Sequence, residues 1–320
     1  MTPVTRFKAA VAQVRPAKGL EDSIATIAAF AEQAAGQGAS LVLFPEAYVG
    51  GYPRGSSFGA VVGQRLDAGR QEFRRYWEAA IDVPGPGCEA IGKIAARHQM
   101  HLVVGVIERE GGTLYCTVLF FSPEGALLGK HRKLMPTGSE RLIWGFGNGS
   151  TMPVLDTSIG KLGAVVCWEN YLPLMRAAHY AKGIEIYCAP TADGRDTWLP
   201  TMRHIAIEGR CFVLSSNQFA RRSDYPEHHE GTGGTDQDIV SRGGSCIVDP
   251  FGTVLAGPNF EGEALLVAEI DRGLIAEGKY DLDVVGHYAR PDVFSLHVNE
   301  TDTLPVHFNA AATPAADFKT

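Results

Sequence analysis

Apolar residues recur along the chain in two patterns, continuous short runs and helix-spaced stripes, and the two alternate. Residues 7–14 form a short apolar run that predicts a buried strand. Residues 20–35 carry Ile24, Ile27, Ala28, Ala31 and Ala35 on one stripe, with Asp22 or Ser23 near the start and Gly36 and Gly38 to end it, which predicts a helix. Ser40-Leu41-Val42-Leu43-Phe44 is apolar throughout and stops at Pro45-Glu46. A β-α-β order whose second strand has no polar face points to a sheet covered on both sides.

The same alternation continues. Helices are predicted over 69–80 and 87–99, then a strand over 101–108 and a hairpin of 113–121 and 126–129 around Ser122-Pro123-Glu124-Gly125. A strand pair follows at 153–157 and 161–167, turning at Ser158-Ile159-Gly160. A helix is predicted over 171–182, with Asn170 as N-cap and Pro173 in its first turn. Next come a strand at 184–189, a helix at 197–209 and a strand at 211–217. Residues 221–244 are polar and Gly-rich and read as a long surface loop, of the kind that usually serves function or an interface. A hairpin (245–249, 253–256), a strand (264–270) and a short helix (271–279) close the pattern. Residues 301–320 are rich in Ala, Thr and Pro without period and read as a tail. With no linker and no repeat, 1–300 reads as one α/β domain.

Composition narrows the function classes. The 320 residues are 45% hydrophobic and 20% charged, enough for a large core. A net charge of −7 with dispersed Lys and Arg argues against nucleic-acid binding. No run approaches the ~18 apolar residues of a membrane span, and Ala9–Ala12 is broken by Lys8, Gln13 and Arg15, unlike a signal peptide. Six cysteines without a Cys-x-x-Cys or Cys/His pair fit neither a disulfide scaffold nor a zinc site. The expectation is a soluble, reduced, cytoplasmic protein without metal or cofactor. His228-His229-Glu230 are adjacent on a Gly-rich stretch, a poor preformed metal site, and Gly231-Thr232-Gly233-Gly234 lacks the Lys-Ser or Lys-Thr of a phosphate loop.

Three strand ends carry candidate chemistry. In Leu162-Gly163-Ala164-Val165-Val166-Cys167-Trp168-Glu169-Asn170 a strand ends on a cysteine shortly before a helix start, where unpaired N–H groups favour a thiolate and can hold an oxyanion. The alternative is a buried structural cysteine, the reading kept for the other five. Glu46 follows the strand over 41–44 and could serve as base, or could be a solvated loop residue. The run Lys130-His131-Arg132-Lys133 is either an exposed basic patch or holds one lysine turned inward, which Glu140 or Arg141 would orient. Carboxylate, ammonium and thiol at three strand ends make a stronger signal together than apart.

These runs carry a resemblance. Phe44-Pro45-Glu46-Ala47, Lys130-His131-Arg132-Lys133-Leu134 with Pro136-Thr137 and Glu140-Arg141, and Cys167-Trp168-Glu169-Asn170 resemble the motifs of the nitrilase branch of the carbon–nitrogen hydrolase superfamily. So do Ala189-Pro190-Thr191-Ala192-Asp193-Gly194, residues 202–209, 257–260 and 286–292, and the likeness covers residues 7 to about 299. It implies a four-layer α-β-β-α sandwich and a triad of Glu46 as base, Lys133 and the nucleophile Cys167, with Glu140 as the second glutamate positioning the lysine. Tyr52, Thr137, Trp168, Glu169 and Thr191, beside these positions, are expected to bind substrate. The implied reaction converts an organic nitrile to acid and ammonia through a thioimidate and a thioester, with amide as side product. Tyr52, Trp144, Trp168, Tyr171 and Trp198 would suit an apolar nitrile, or are ordinary core. The alternatives are a cyanide hydratase or dihydratase, an aliphatic amidase or carbamoylase, and more remotely a silent assembly module. The resemblance also implies homodimers or larger spiral oligomers, built through the helix after the nucleophile.

Overall fold

The computed structural model describes residues 5–225, 234–303 and 306. In chain order the strands are β1 (Arg6–Gln13), β2 (Ala39–Leu43), β3 (Ile81–Asp82), β4 (His101–Glu110), β5 (Thr113–Phe121), β6 (Leu127–Arg132), β7 (Val154–Thr157) and β8 (Gly160–Ala164). They continue with β9 (Ile186–Pro190), β10 (Phe212–Ser216), β11 (Phe219–Arg221), β12 (Ile239–Arg242), β13 (Ser245–Val248), β14 (Val254–Asn259) and β15 (Ala264–Asp271). The α-helices are α1 (Leu20–Gly36), α2 (Asp67–Ala79), α3 (Pro86–His98), α4 (Pro173–Ala181), α5 (Trp198–Gly209) and α6 (Gly273–Asp281).

One sheet runs β15-β1-β2-β4-β5-β6, with β3 paired to β4; the other runs β14-β13-β10-β9-β8-β7. The centre of each is parallel, β1-β2-β4 in the first and β8-β9-β10 in the second, so α1, α3, α4 and α5 are crossover helices on the sheet faces. Strand alternation then sorts the side chains into three apolar layers. Val11, Leu41, Leu43 and Val103 of the first sheet meet Leu162, Ile186, Cys188 and Leu214 of the second in a middle layer. Their neighbours Ala10, Val42 and Val104 face Ile27 and Ala31 of α1 and Ile91 of α3. Tyr187, Ala189 and Val213 face Ala178 of α4 and Met202 and Ile205 of α5. This double coverage explains why the strands read as continuous apolar runs, and it is the expected α-β-β-α sandwich.

Most predicted elements agree with the structure within two residues. Three differ. The helix after Cys167 does not begin near residue 171 with Asn170 as N-cap: Cys167–Tyr171 is a 3₁₀ turn, and α4 starts at Pro173 with Leu172 in the cap position. The hairpin strand expected to stop at residue 129 continues as β6 to Arg132. Within the expected loop 221–244, Ile239–Arg242 forms β12 against β11. Residues 226–233, which include His228, His229 and Glu230, lie outside the described residues, as do most of 301–320. Among the described residues no helix is long and apolar enough to cross a membrane.

Candidate active site

Glu46 lies just past the C-terminal end of β2, in a loop that zips onto β4: the Phe44 N–H donates to the Val103 carbonyl at 2.8 Å and the Val49 N–H to that of Gly105 at 3.1 Å. Ala47, next to Glu46, sits in the left-handed region at φ 50°. Gly105 permits this approach, because a Cβ there would stand 2.1 Å from the Pro45 carbonyl oxygen and 2.8 Å from Glu46 Cα.

Lys133 follows the last residue of β6, and alternation disposes of the basic run. His131 and Lys133 point inward, while Lys130 and Arg132 share Glu108, at 2.5 Å and 2.6 Å. The run is therefore not an exposed basic patch. Lys133 Nζ donates to Glu46 Oε1 at 2.7 Å and to Glu140 Oε2 at 2.8 Å. Glu140 in turn accepts the Thr137 N–H at 2.7 Å on Oε2 and the Tyr52 hydroxyl at 2.8 Å on Oε1.

Cys167 follows β8 by three residues, and its φ of 51° marks a strained elbow. A non-glycine residue in that region costs about 1–3 kcal/mol and persists only when its surroundings hold it. Asn170 supplies part of the hold, its amide donating to the carbonyls of Val165 (2.9 Å) and Cys167 (2.8 Å). Glu169 supplies more, accepting the N–H of Val166 at 3.0 Å and of Leu134 at 2.6 Å. His131 Nε2 lies 3.0 Å from the same carboxylate. Glu169 therefore binds the Lys133 segment to the Cys167 elbow, with both oxygens occupied. It does not line the cavity, so the expectation that it touches substrate is corrected to a supporting place.

The cavity over the sulfur measures about 470 Å³ and is lined by Tyr52, Thr137, Glu140 and Trp168, by Ile239 and Val240 of β12, and by the polar Asp193, Arg195, Arg54 and Arg242. Trp168 is fixed by Asp193, which accepts its Nε1–H at 2.9 Å, and by the Arg195 guanidinium 4.6 Å from its ring centre. Thr191, wholly buried, does not line this cavity; it reaches Cys167 Sγ at 3.2 Å, so the expectation that it binds substrate is corrected to a contact with the nucleophile. Of the five aromatic residues, only Tyr52 and Trp168 line this cavity. Trp144 packs under Lys133, 5.4 Å from Nζ, and Trp198 is core, donating to Ser215.

Electrostatics favour a charged lysine and a reluctant acid. Burial pushes the Glu46 carboxyl up, against the pull of Lys133. Burial also pushes the Cys167 thiol up, and Glu46 adds to this; Lys133, the Thr191 hydroxyl and the Ala192 N–H oppose it. Lys133 would be depressed by burial, but the charges of Glu46 and Cys167 outweigh that and hold it well above its ordinary range. Glu46 Oε2 is buried without a hydrogen bond of ordinary length among the described residues. Such a carboxylate beside a thiol can take its proton, and a fixed ammonium can meet negative charge that develops on a substrate.

Three contributors escaped sequence reasoning. Cys116, read as structural, places its thiol 3.6 Å from Glu46 Oε1. Gly105 interrupts an apolar strand, which was its visible signal. The pairing of His131 with Glu169 had only the inward phase shared with Lys133, legible once β6 is extended.

A model of the carbon–nitrogen hydrolase family matches residues 8–280, and the chain belongs to that family. The relatives place it in the nitrilase branch. It is 59% identical over 288 residues to the bifunctional nitrilase/nitrile hydratase NIT4B of Nicotiana tabacum, covering 88% of this chain and 83% of the relative. It is 58% identical over 297 residues to a nitrilase of Bradyrhizobium diazoefficiens, covering 92% of each. A crystal structure of a carbon–nitrogen hydrolase from Helicobacter pylori G27 superposes with a TM-score of 0.73 at 22% identity, covering 91% of this chain and 97% of that one, a likeness of fold.

Proposed function

We propose that the protein hydrolyses small organic nitriles to carboxylic acid and ammonia, with amide as a second product, using Cys167 as nucleophile, Glu46 as base and Lys133 as the electrostatic partner. The observation that carries this reading is the convergence of Lys133 on Glu46 and Glu140, at 2.7 Å and 2.8 Å, beside a thiol on a strained elbow that opens to a cavity. The relatives' names, nitrilase and bifunctional nitrilase/nitrile hydratase, support the substrate class.

A nitrile carbon is a weak electrophile, so the sulfur must attack as thiolate. A free thiol near pKa ~8.5 is only a few per cent ionised at neutral pH. Here burial raises the thiol further, so the proton leaves only as substrate arrives, to the Glu46 carboxylate. Attack produces a thioimidate whose nitrogen gains negative character, met by Lys133 and by the Trp168 N–H at the start of the 3₁₀ turn. Glu46 passes the thiol proton to that nitrogen and, a carboxylate again, takes a proton from water, whose addition gives a tetrahedral carbon. Loss of ammonia leaves a thioester that a second water converts to acid; loss of sulfur instead releases amide. Glu140 and Tyr52 keep Lys133 aimed. Removal of one fixed donor of this kind typically costs ~10²–10³ in kcat.

The cavity, lined by Trp168, Tyr52, Ile239 and Val240 among others, suits a nitrile whose R group is a ring or a medium chain. The test is a nitrile panel, with each matching amide alongside, read for ammonia and amide. The Cys167→Ala protein is expected to fold as the parent and to release neither. Nitrile turnover by that variant would overturn the assignment, and turnover of amides alone would move the protein to an amidase.

A further inference from the structure

Thr191 follows the last residue of β9, its N–H held by the Ser216 carbonyl at 2.9 Å, so the side chain is positioned by the sheet ladder. Its Oγ1 accepts the Asp193 N–H at 2.9 Å. With that lone pair committed, the single hydroxyl hydrogen is left to donate, and Cys167 Sγ lies 3.2 Å away. The residue is wholly buried, so no water competes for the hydrogen. The Ala192 N–H is a second donor to the same sulfur. A threonine fixed at both ends and aimed at the nucleophile is more built than substrate contact requires.

We propose that Thr191 sets how readily the sulfur leaves, and through that the division of product between amide and acid. This rests on the thioimidate reading above. The tetrahedral carbon carries hydroxyl, amino nitrogen, sulfur and R. In the acid branch the C–N bond breaks, its electron pair leaves with nitrogen, and nitrogen departs as ammonia with a proton from Lys133. The hydroxyl proton passes to Glu46 as the C=O forms. In the amide branch the C–S bond breaks, its pair leaves with sulfur as thiolate, and the hydroxyl proton again passes to Glu46. Only the second branch places charge on sulfur, so a hydrogen bond to sulfur lowers that barrier selectively. The same bond favours the thiolate before attack.

Thr191→Val keeps the shape and removes the donor; Thr191→Ala removes it with less bulk, and Thr191→Ser keeps it. On one nitrile from which the parent forms both products, the Val and Ala variants are expected to lower the amide-to-acid ratio about tenfold, the usual effect of one lost hydrogen bond to a charged group. The pH midpoint for iodoacetamide alkylation of Cys167 is expected to rise by about one unit in the same variants, with Ser near the parent in both measurements. A residue that only packs would change total rate and leave ratio and midpoint alone. An unchanged ratio or an unmoved alkylation profile in the Val and Ala proteins overturns the proposal. Should the parent turn over no nitrile, the nitrilase reading fails, and the alkylation profile still decides whether Thr191 holds the sulfur.

Discussion

Burial by itself would strip the proton from Lys133 and force one onto Glu46; the fixed contacts between them decide otherwise for the lysine. Its ammonium has two carboxylate oxygens within 2.8 Å, while burial raises Glu46 against the pull of Lys133 and of the Cys167 thiol. A second buried pair sits behind the first. Burial would depress His131, but the Glu169 charge and hydrogen bond and the Thr151 carbonyl raise it above its ordinary 6.5. Burial would raise Glu169, but His131 and the N–H groups of Leu134 and Val166 bring it below its ordinary 4.5. The signs fix a pH window. The His131 contribution to stability is complete below 6.5 and is lost as pH rises through the elevated value; that of Glu169 is complete above 4.5 and is lost as pH falls through the lowered one. The stability gap between parent and His131→Gln is therefore expected to be widest near pH ~5.5 and to narrow as the pH rises through the elevated His131 value, read by urea denaturation across a pH series. A gap that is constant or grows with pH would mean that the pair is not ionic.

At the scale of elements, each functional group hangs on a strand end, and the loop after β2 is the least self-sufficient of these. It carries Glu46 on a backbone held to β4 by Val49 and Phe44, and it clears β4 only at Gly105. Gly105→Ala pushes a methyl into the Pro45 carbonyl, so Glu46 must shift. The expected result is a loss of about 1–3 kcal/mol in stability and a fall of up to ~10²-fold in kcat, since misplacement of a catalytic group by about 1 Å suffices for that. Both are read from denaturation and initial rates on one nitrile; a variant with full activity would show that the loop tolerates the shift. The strand end before Glu46 was legible in the sequence, because a continuous apolar run followed by Pro45-Glu46 needs only local pattern. The strands before Cys167 and Lys133, by contrast, end three residues from where the pattern put them, at Ala164 and Arg132. What lay across the sheet was not legible. Glu169 sits in a motif beside the nucleophile and looks like a substrate contact, yet its partners His131 and Leu134 are distant in sequence. The 3₁₀ turn also escaped, because Asn170 imitates an N-cap while its amide is spent on Val165 and Cys167. Ile239-Val240 was masked by polar neighbours, and only pairing with β11 makes it a cavity wall.

On the scale of the whole molecule, the site belongs to neither sheet. Glu46 and Lys133 come from the first sheet, and Cys167 and Thr191 from the second, so their spacing is that of the middle apolar layer. The outer layers are expected to bear on stability but not on that spacing. Two substitutions of like size separate these roles. Ile91→Ala lies between the first sheet and its helices, Leu162→Ala between the two sheets, and both side chains are wholly buried. Each is expected to cost about 2–5 kcal/mol. Measured well below the melting temperature, where both variants stay folded, kcat is expected to remain near the parent for Ile91→Ala. It is expected to fall several-fold for Leu162→Ala, because relaxation into the new cavity moves β8 and its cysteine relative to the carboxylate and ammonium. Equal activity in the two variants would show that the Glu169 and His131 contacts alone fix the spacing of the triad. A loss confined to Leu162→Ala would show that the two sheets act as one rigid jig, and that the apolar layer between them is part of the catalytic apparatus.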